Sequence, residues 1–99
     1  MTIGEVLKSL SSYPVPSQVL ESICAVRGVN TDEYVDAETL SQESYVMARA
    51  DVLLWLADAP NVSQGGQSYS FSQDQRDRMR AEANSVLRRV QYGYKGSRL

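Results

Sequence analysis

The sequence contains no histidine, and this absence removes several kinds of functional site. Without an imidazole there is no Ser-His-Asp or Cys-His nucleophile pair, no histidine general base and no histidine-ligated metal. The single cysteine, Cys24, excludes an internal disulfide and agrees with a reducing compartment. We expect Cys24 to be a small core residue. We also expect no catalysis, no cofactor, no metal and no small-molecule substrate.

Long apolar runs and extremes of composition are also missing. Hydrophobic residues make up 42% of the chain and charged residues 22%, as in an ordinary globular protein. No stretch approaches the roughly 18 apolar residues of a membrane span. The opening MTIGEVLKSL lacks the basic and apolar blocks of a secretory signal. We therefore expect one domain over residues 1–92, a flexible tail over residues 93–99, and no membrane partner.

The charge is unevenly distributed along the chain. Residues 1–75 contain three basic and ten acidic residues, a net charge of −7, whereas residues 76–99 contain seven basic and two acidic residues, a net charge of +5. This pattern fits an ordinary solvated helix face. It also fits a molecule with unlike ends, suited to contact with a copy of itself or with an acidic partner.

Apolar periodicity predicts four helices. The first spans residues 3–11, begins with the Thr2/Glu5 capping box and ends before two prolines. The second begins at Pro16 and ends at a left-handed Gly28. The third runs from about residue 39 to residue 59 and is apolar on several faces, as in the middle of a bundle. The fourth covers about residues 73–90 and begins with a Ser72/Gln75 capping box. The predicted apolar stripe of the second helix consists of Val19, Leu20, Ile23 and Val26.

The segments between these helices are polar. Residues 30–38 are acidic, with Thr31 as the expected N-cap of one short helical turn, but they lack the ligand spacing of a calcium loop. Residues 61–70 contain a Gly65-Gly66 turn, and Tyr69 and Phe71 alternate with serines as in a strand. The expected fold is therefore all-α: a small bundle of about four helices, with a long loop or short β-arm between the last two.

The order of these features resembles the small head–tail connector, or adaptor, proteins of tailed bacteriophages and prophages. A central apolar helix closes with DAP, a Gly/Ser-rich loop ends in SYSFS, and SQDQRDRMRAEANSVLRRV leads to a tyrosine–glycine tail. The resemblance extends over roughly residues 1–92 and is strongest over residues 44–92. The proline-rich break at residues 13–16 departs from the family pattern.

The resemblance implies a structural role without catalysis. Adaptor subunits of this kind form a ring between portal and tail, in the neck of the virion, after assembly in the bacterial cytoplasm. By this likeness, residues 61–71 would reach a neighbouring subunit, residues 92–99 would dock on a portal or tail protein, and DNA would be met only as the contents of the channel. The interaction residues expected from the arm, the basic helix and the tail are Tyr69, Phe71, Arg76, Arg80, Arg88, Arg89, Tyr92 and Tyr94.

Other interpretations remain open at this point. The rings of Tyr69 and Phe71 would not be available as anchors if they fold back onto the chain's own bundle. The basic last helix would also suit a small regulatory module that binds an acidic partner or nucleic acid. An enzyme would have to rely on a carboxylate pair such as Asp51 and Asp58, which lie two turns apart on one helix.

Overall fold

The structure, a computed structural model, describes the backbone of residues 1–96 and the side chains of residues 1–63 and 65–89. This part of the chain is mostly helical, which confirms the predicted class, but it contains five helices and a β-hairpin. The elements are α1 (Ile3–Lys8), α2 (Ser17–Arg27), α3 (Ala37–Ser41), α4 (Glu43–Asp58), β1 (Val62–Gln64), β2 (Gln67–Tyr69) and α5 (Gln73–Gly96).

The predicted third helix is divided into α3 and α4, so the expectation of one continuous helix was wrong. Asp36 and Thr39 form a capping box that begins α3. Gln42 then has an extended backbone, with ψ 139°, before α4 begins. Ser41 Oγ donates to the Glu38 carbonyl in the last turn of α3. The segment from Ser41 to Glu43 offers no apolar side chain that would hold a straight helix on the core.

Helix α4 lies in the middle of the fold, as its apolar character predicted. Tyr45, Val52 and Leu56 belong to a buried cluster shared with α1, α2 and the chain after α1. Ala50 and Leu53 belong to a second cluster, closed by Ala83 of α5. Because α4 is covered on both sides, α2 and α5 each pack on α4 and make few contacts with one another. The first cluster consists of Ile3, Leu7, Tyr13, Leu20, Cys24, Tyr45, Val52, Leu56 and Ala59.

Helix α2 has a different buried face from the one predicted. Val26 is 81% exposed, whereas Cys24 is only 1% exposed, so Val26 does not belong to the buried stripe. Leu20, Cys24 and Arg27 are spaced i, i+4 and i+7 and therefore share the face that contacts α4. Pro16 lies just before the helix as its N-cap, with an extended ψ of 140°. Gly28 has φ 72° and ends the helix in the left-handed conformation that was predicted.

The chain after α2 binds back to the start of α1. The amides of Ile3 and Gly4 donate to the carbonyls of Glu33 and Thr31 at 2.8 and 2.9 Å, which satisfies two of the free N–H groups in the first turn of α1. Thr2 and Tyr34 form an isolated antiparallel bridge. The chain makes a single hydrogen-bonded turn here, in which the Glu33 amide donates to the Asn30 carbonyl at 3.2 Å. No helix with Thr31 as its N-cap forms, because the backbone that follows caps α1 and pairs with residues before it.

The loop between the last two helices contains the expected hairpin. β1 and β2 pair antiparallel with Gln64 opposite Gln67. Gly65 and Gly66 have φ values of 61° and 80° and form a two-residue turn that favours glycine at both positions.

Helix α5 makes the molecule elongated. It packs along α4 and continues to Gly96, beyond the predicted end at residue 90, because the sequence has no proline there and a glycine costs a helix only about 1 kcal/mol. The predicted flexible tail thus has a helical backbone as far as residue 96, while residues 97–99 lie outside the described residues. The principal extents are 53 × 30 × 21 Å. Among residues 1–96, no helix has both the length and the apolar character needed to cross a membrane.

Candidate interaction site

Arg76 on α5 caps the C-terminal end of α4. Its guanidinium donates to the carbonyls of Ala57 and Ala59 at 2.8 and 2.6 Å, and to Asn61 Oδ1 at 2.9 Å. It also lies 5.6 Å from the centroid of the Phe71 ring. The last carbonyls of a helix have no intrahelical donor, so the Arg76 guanidinium supplies the N–H groups that the helix backbone lacks there. Arg76 was expected to contact a partner, but the contacts described for it are within the chain.

Arg80 supports the same helix end. It donates to Asp58 Oδ1 at 2.8 Å, to the Ala57 carbonyl at 3.2 Å and to Asp77 Oδ1 at 3.4 Å. The hydrogen bond with Asp58 raises the pKa of the Arg80 guanidinium above its ordinary value. Two of the four arginines expected to form a basic interaction surface therefore connect α5 to α4.

The rings of Tyr69 and Phe71 pack against Tyr13. Phe71 is nearly parallel to Tyr13, with ring centroids 5.5 Å apart, and Tyr69 is edge-on at 6.3 Å. Trp55 contacts the same ring edge-on at 5.8 Å. The Tyr13 hydroxyl donates to the Pro60 carbonyl. One side of the Tyr69 ring and one side of the Phe71 ring therefore pack on the bundle of the same chain. They remain half-buried, so an anchoring role for their exposed sides stays a prediction.

Arg88 and Arg89 are exposed on α5, as expected of interaction residues. The side chains of Tyr92 and Tyr94 lie outside the described residues. Arg78 is exposed as well and was missed. Helical periodicity contained a signal for it: Arg78 lies two residues from both Arg76 and Arg80, about 200° around the helix, so it cannot face α4 with them.

A groove lies between the end of α1, α4 and α5, and we call it the α1–α5 groove. It has a volume of about 380 Å³. Arg78 lies at its edge, and Arg49 and Glu82 form an ion pair of 3.1 Å across it. The groove thus combines an apolar floor with one exposed arginine and one ion pair at its edges. The floor is formed by Leu10, Leu53, Phe71 and Met79.

The acidic segment forms an exposed surface near the other end of α1. We call residues 30–36 the Tyr34 loop, because Tyr34 is 73% exposed in it. Asp32, Glu33 and Asp36 are exposed on either side of Tyr34. Sequence reasoning recognised the acidic surface but missed the aromatic residue within it. Within the described residues, no three Cys, Asp or Glu side chains come together as metal ligands.

The two carboxylates considered as an enzymatic pair are each bound to an arginine. Asp51 accepts from Arg27 Nε and Nη2 at 2.6 and 3.0 Å, and this hydrogen bonding raises the pKa of Arg27. Asp58 is paired with Arg80. Asp51 thereby connects α4 to α2, and Asp58 connects α4 to α5, so both have a structural role in the fold.

Comparison with known proteins gives one family match. The model of DUF6706, described as a family of unknown function, matches residues 1–93. No curated protein and no solved structure matches the chain. The match covers nearly all of the residues that form the helices and the hairpin.

Proposed function

Because the chain belongs to the DUF6706 family, whose description leaves its function open, we propose a role from the surface just described. The protein is a structural subunit that assembles with copies of itself and performs no catalysis. The assembly is the ring of a phage or prophage head–tail connector, located between portal and tail. The connector part of the proposal rests on the resemblance of the sequence, and the self-assembly part rests on the surface.

The observation that carries the proposal is the incompletely covered stripe of α5. Val86 and Leu87 pack on the second cluster but are only partly buried, and Arg88 and Arg89 next to them are exposed. An apolar strip flanked by arginines is suited to a surface that combines apolar and acidic groups. Residues 1–75 of another copy, with their net charge of −7, provide such a surface.

Two further features support assembly by unlike faces. The acidic Tyr34 loop lies at one end of α1, and the arginine-edged α1–α5 groove lies at the other. A contact between different faces of two identical subunits can repeat, and it closes into a ring when the rotation between neighbours divides a full turn. A connector ring has this geometry.

The test is the mass of the wild-type protein in solution, measured by sedimentation velocity over a wide range of concentration at low and high salt. We expect a mass that rises with concentration and falls with salt, because the contact combines apolar and charged groups. A single-chain mass at every concentration would overturn self-assembly. If that monomer retained nucleic acid at low salt, the regulatory alternative, in which Arg78, Arg88 and Arg89 bind phosphate, would replace it.

A charge-neutralising variant makes the test specific. Arg88→Gln with Arg89→Gln should weaken association while leaving the thermal unfolding midpoint unchanged, since both side chains are exposed. Lys8→Gln is a control for the loss of a positive charge from the acidic part of the chain; it removes only the exposed hydrogen bond from Lys8 Nζ to Ser17 Oγ and should assemble as the wild type does. Once an oligomer of defined mass is obtained, its binding to a phage portal protein tests the connector assignment.

A further inference from the structure

We propose that the Tyr34 loop of one copy docks into the α1–α5 groove of the next copy. This inference rests on the self-assembly proposed above and names the two surfaces that meet. Tyr34 enters the apolar floor of the groove, and the acids beside it lie against the arginines at its edges. The occupant of the groove is thus a second copy of this chain.

The Tyr34 loop is held in shape before it meets a partner. Its backbone is bound on both sides of Tyr34: the Glu33 carbonyl accepts from the Ile3 amide at 2.8 Å, and the Val35 amide donates to the Met1 carbonyl at 3.0 Å. Asn30 Oδ1 also accepts from the Asp32 amide at 2.9 Å. A loop that is already ordered loses less conformational entropy on binding. Tyr34 is nevertheless 73% exposed, so this order presents the ring to solvent instead of burying it.

The chemistry of the groove matches this loop. It is an open surface groove with a volume of about 380 Å³, so a side chain that protrudes from another surface can enter it. Leucine, phenylalanine and methionine side chains form the floor, and sulfur and aromatic groups both pack favourably on a tyrosine ring. A tyrosine without charged neighbours would contact only the apolar floor of the groove.

The charged residues around the Tyr34 ring and around the groove make the contact specific for this tyrosine. Asp32 and Glu33 precede Tyr34 in the chain and Asp36, the N-cap of α3, follows it, and all three side chains are exposed, so the loop is an acidic surface with one aromatic residue. Arg78 at the groove edge is exposed and adds one positive charge, while Arg49 is ion-paired with Glu82 and keeps 34% of its side chain exposed. Opposite charges around an apolar centre give the contact both attraction and orientation.

The loop and the groove lie at opposite ends of α1, so the contact joins two molecules. Thr2, just before α1, is bridged to Tyr34, whereas Leu10, just after α1, lines the groove. Each copy therefore presents one loop and one groove at two separate places on its surface. Such a contact leaves a free loop and a free groove on every dimer, and the chain of contacts continues until it closes.

The experiment uses two variants that each disable one side. Tyr34→Ser removes the ring but keeps the groove, and Arg78→Glu reverses the groove edge but keeps the loop. Each variant alone should show self-association weakened by about tenfold or more in sedimentation velocity, as for the loss of a central interface residue. At concentrations where each variant alone is monomeric, an equimolar mixture should form a one-to-one heterodimer and nothing larger, because only one intact loop and one intact groove remain per pair.

Two controls separate this contact from general effects. Val26→Ser removes another exposed apolar side chain, on α2, and should assemble as the wild type does. Tyr34→Phe keeps the ring and should also retain assembly. At a concentration where all variants are monomeric, circular dichroism should give the same unfolding midpoint for each, because the altered side chains are exposed.

The outcomes distinguish this contact from the proposed function. If wild-type protein assembles but Tyr34→Ser assembles equally well, the loop–groove contact is wrong and self-assembly stands. If both variants are weakened but their mixture forms no heterodimer, the two residues do not face each other and the contact is again wrong. If wild-type protein remains monomeric at every concentration, self-assembly and this contact both fail.

Discussion

Replacing Arg76 with glutamine should destabilise the isolated chain, even though Arg76 is located on a helix surface. Its guanidinium donates to the carbonyls of Ala57 and Ala59, residues that are 0% and 3% exposed, and a glutamine amide is too short to reach both. A buried carbonyl left without a donor costs about 1–3 kcal/mol. Arg80 already donates to the Ala57 carbonyl at 3.2 Å, so that group keeps one partner.

The expected loss is therefore set mainly by the Ala59 carbonyl and by Asn61. We expect a decrease of about 2 kcal/mol in the free energy of unfolding, which is a large part of the roughly 5–15 kcal/mol that holds a domain of this kind together. In a domain of about 100 residues, this corresponds to a fall of roughly 8–16 °C in the unfolding midpoint. The Arg76→Gln, Arg80→Gln double variant should lose more than the two single losses together, because both arginines donate to the Ala57 carbonyl.

The assay is urea unfolding followed by circular dichroism, with Arg78→Gln as the matched control. Arg78 is exposed on the same helix, and arginine and glutamine have nearly equal helix propensity, so the control should change stability by no more than about 0.5 kcal/mol. Both variants lose one positive charge from the same turn of α5. Equal effects of Arg76→Gln and Arg78→Gln would refute the capping argument.

Two substitutions and one reactivity measurement test other contacts of the fold. Phe71→Ser should lower the stability of the monomer by about 2 kcal/mol, since the ring is half-buried on Tyr13; an unchanged melting temperature would show that Phe71 acts only between molecules. Hydrogen bonds from the Thr39 side chain and backbone lower the pKa of Asp36, so its contribution is present at neutral pH and is lost as the pH falls through that lowered pKa. Asp36→Asn should keep the cap and reduce the loss of stability in acid, measured by urea unfolding across acidic pH. Burial raises the pKa of the Cys24 thiol, and the thiol should react with a disulfide reagent at neutral pH only when the chain unfolds; reaction at the rate of a free thiol would contradict its burial.

Signals that are local in sequence predicted local structure well. Thr2 with Glu5 and Ser72 with Gln75 form the expected capping boxes, and the Gly65-Gly66 pair forms the expected turn. Each of these features is decided by residues within a few positions of one another. The mostly helical class and the central place of α4 followed from apolar periodicity in the same way.

Features that depend on distant residues were not predicted. The extended backbone of Gln42, which separates α3 from α4, depends on how two helices pack and not on the propensity of Gln42 itself. The role of Arg76 depends on carbonyls 17 and 19 residues earlier in the chain. A count of arginines on α5 could not separate Arg76 and Arg80, which face α4, from Arg78, which does not. Geometry around the helix could have done so.

The cap on α4 also has a consequence for synthesis of the chain on the ribosome. The end of α4 is completed by Arg76 and Arg80, and the second cluster by Ala83, so α4 emerges well before the residues that finish it. Until α5 has been synthesised, the side of α4 that contains Ala50 and Leu53 is exposed to solvent. Exposed apolar surface on a nascent chain favours aggregation or capture by a chaperone. The first cluster has no such delay, since all of its buried members precede residue 60. The nascent chain should therefore pass through a stage in which one side of α4 is folded and the other waits for α5.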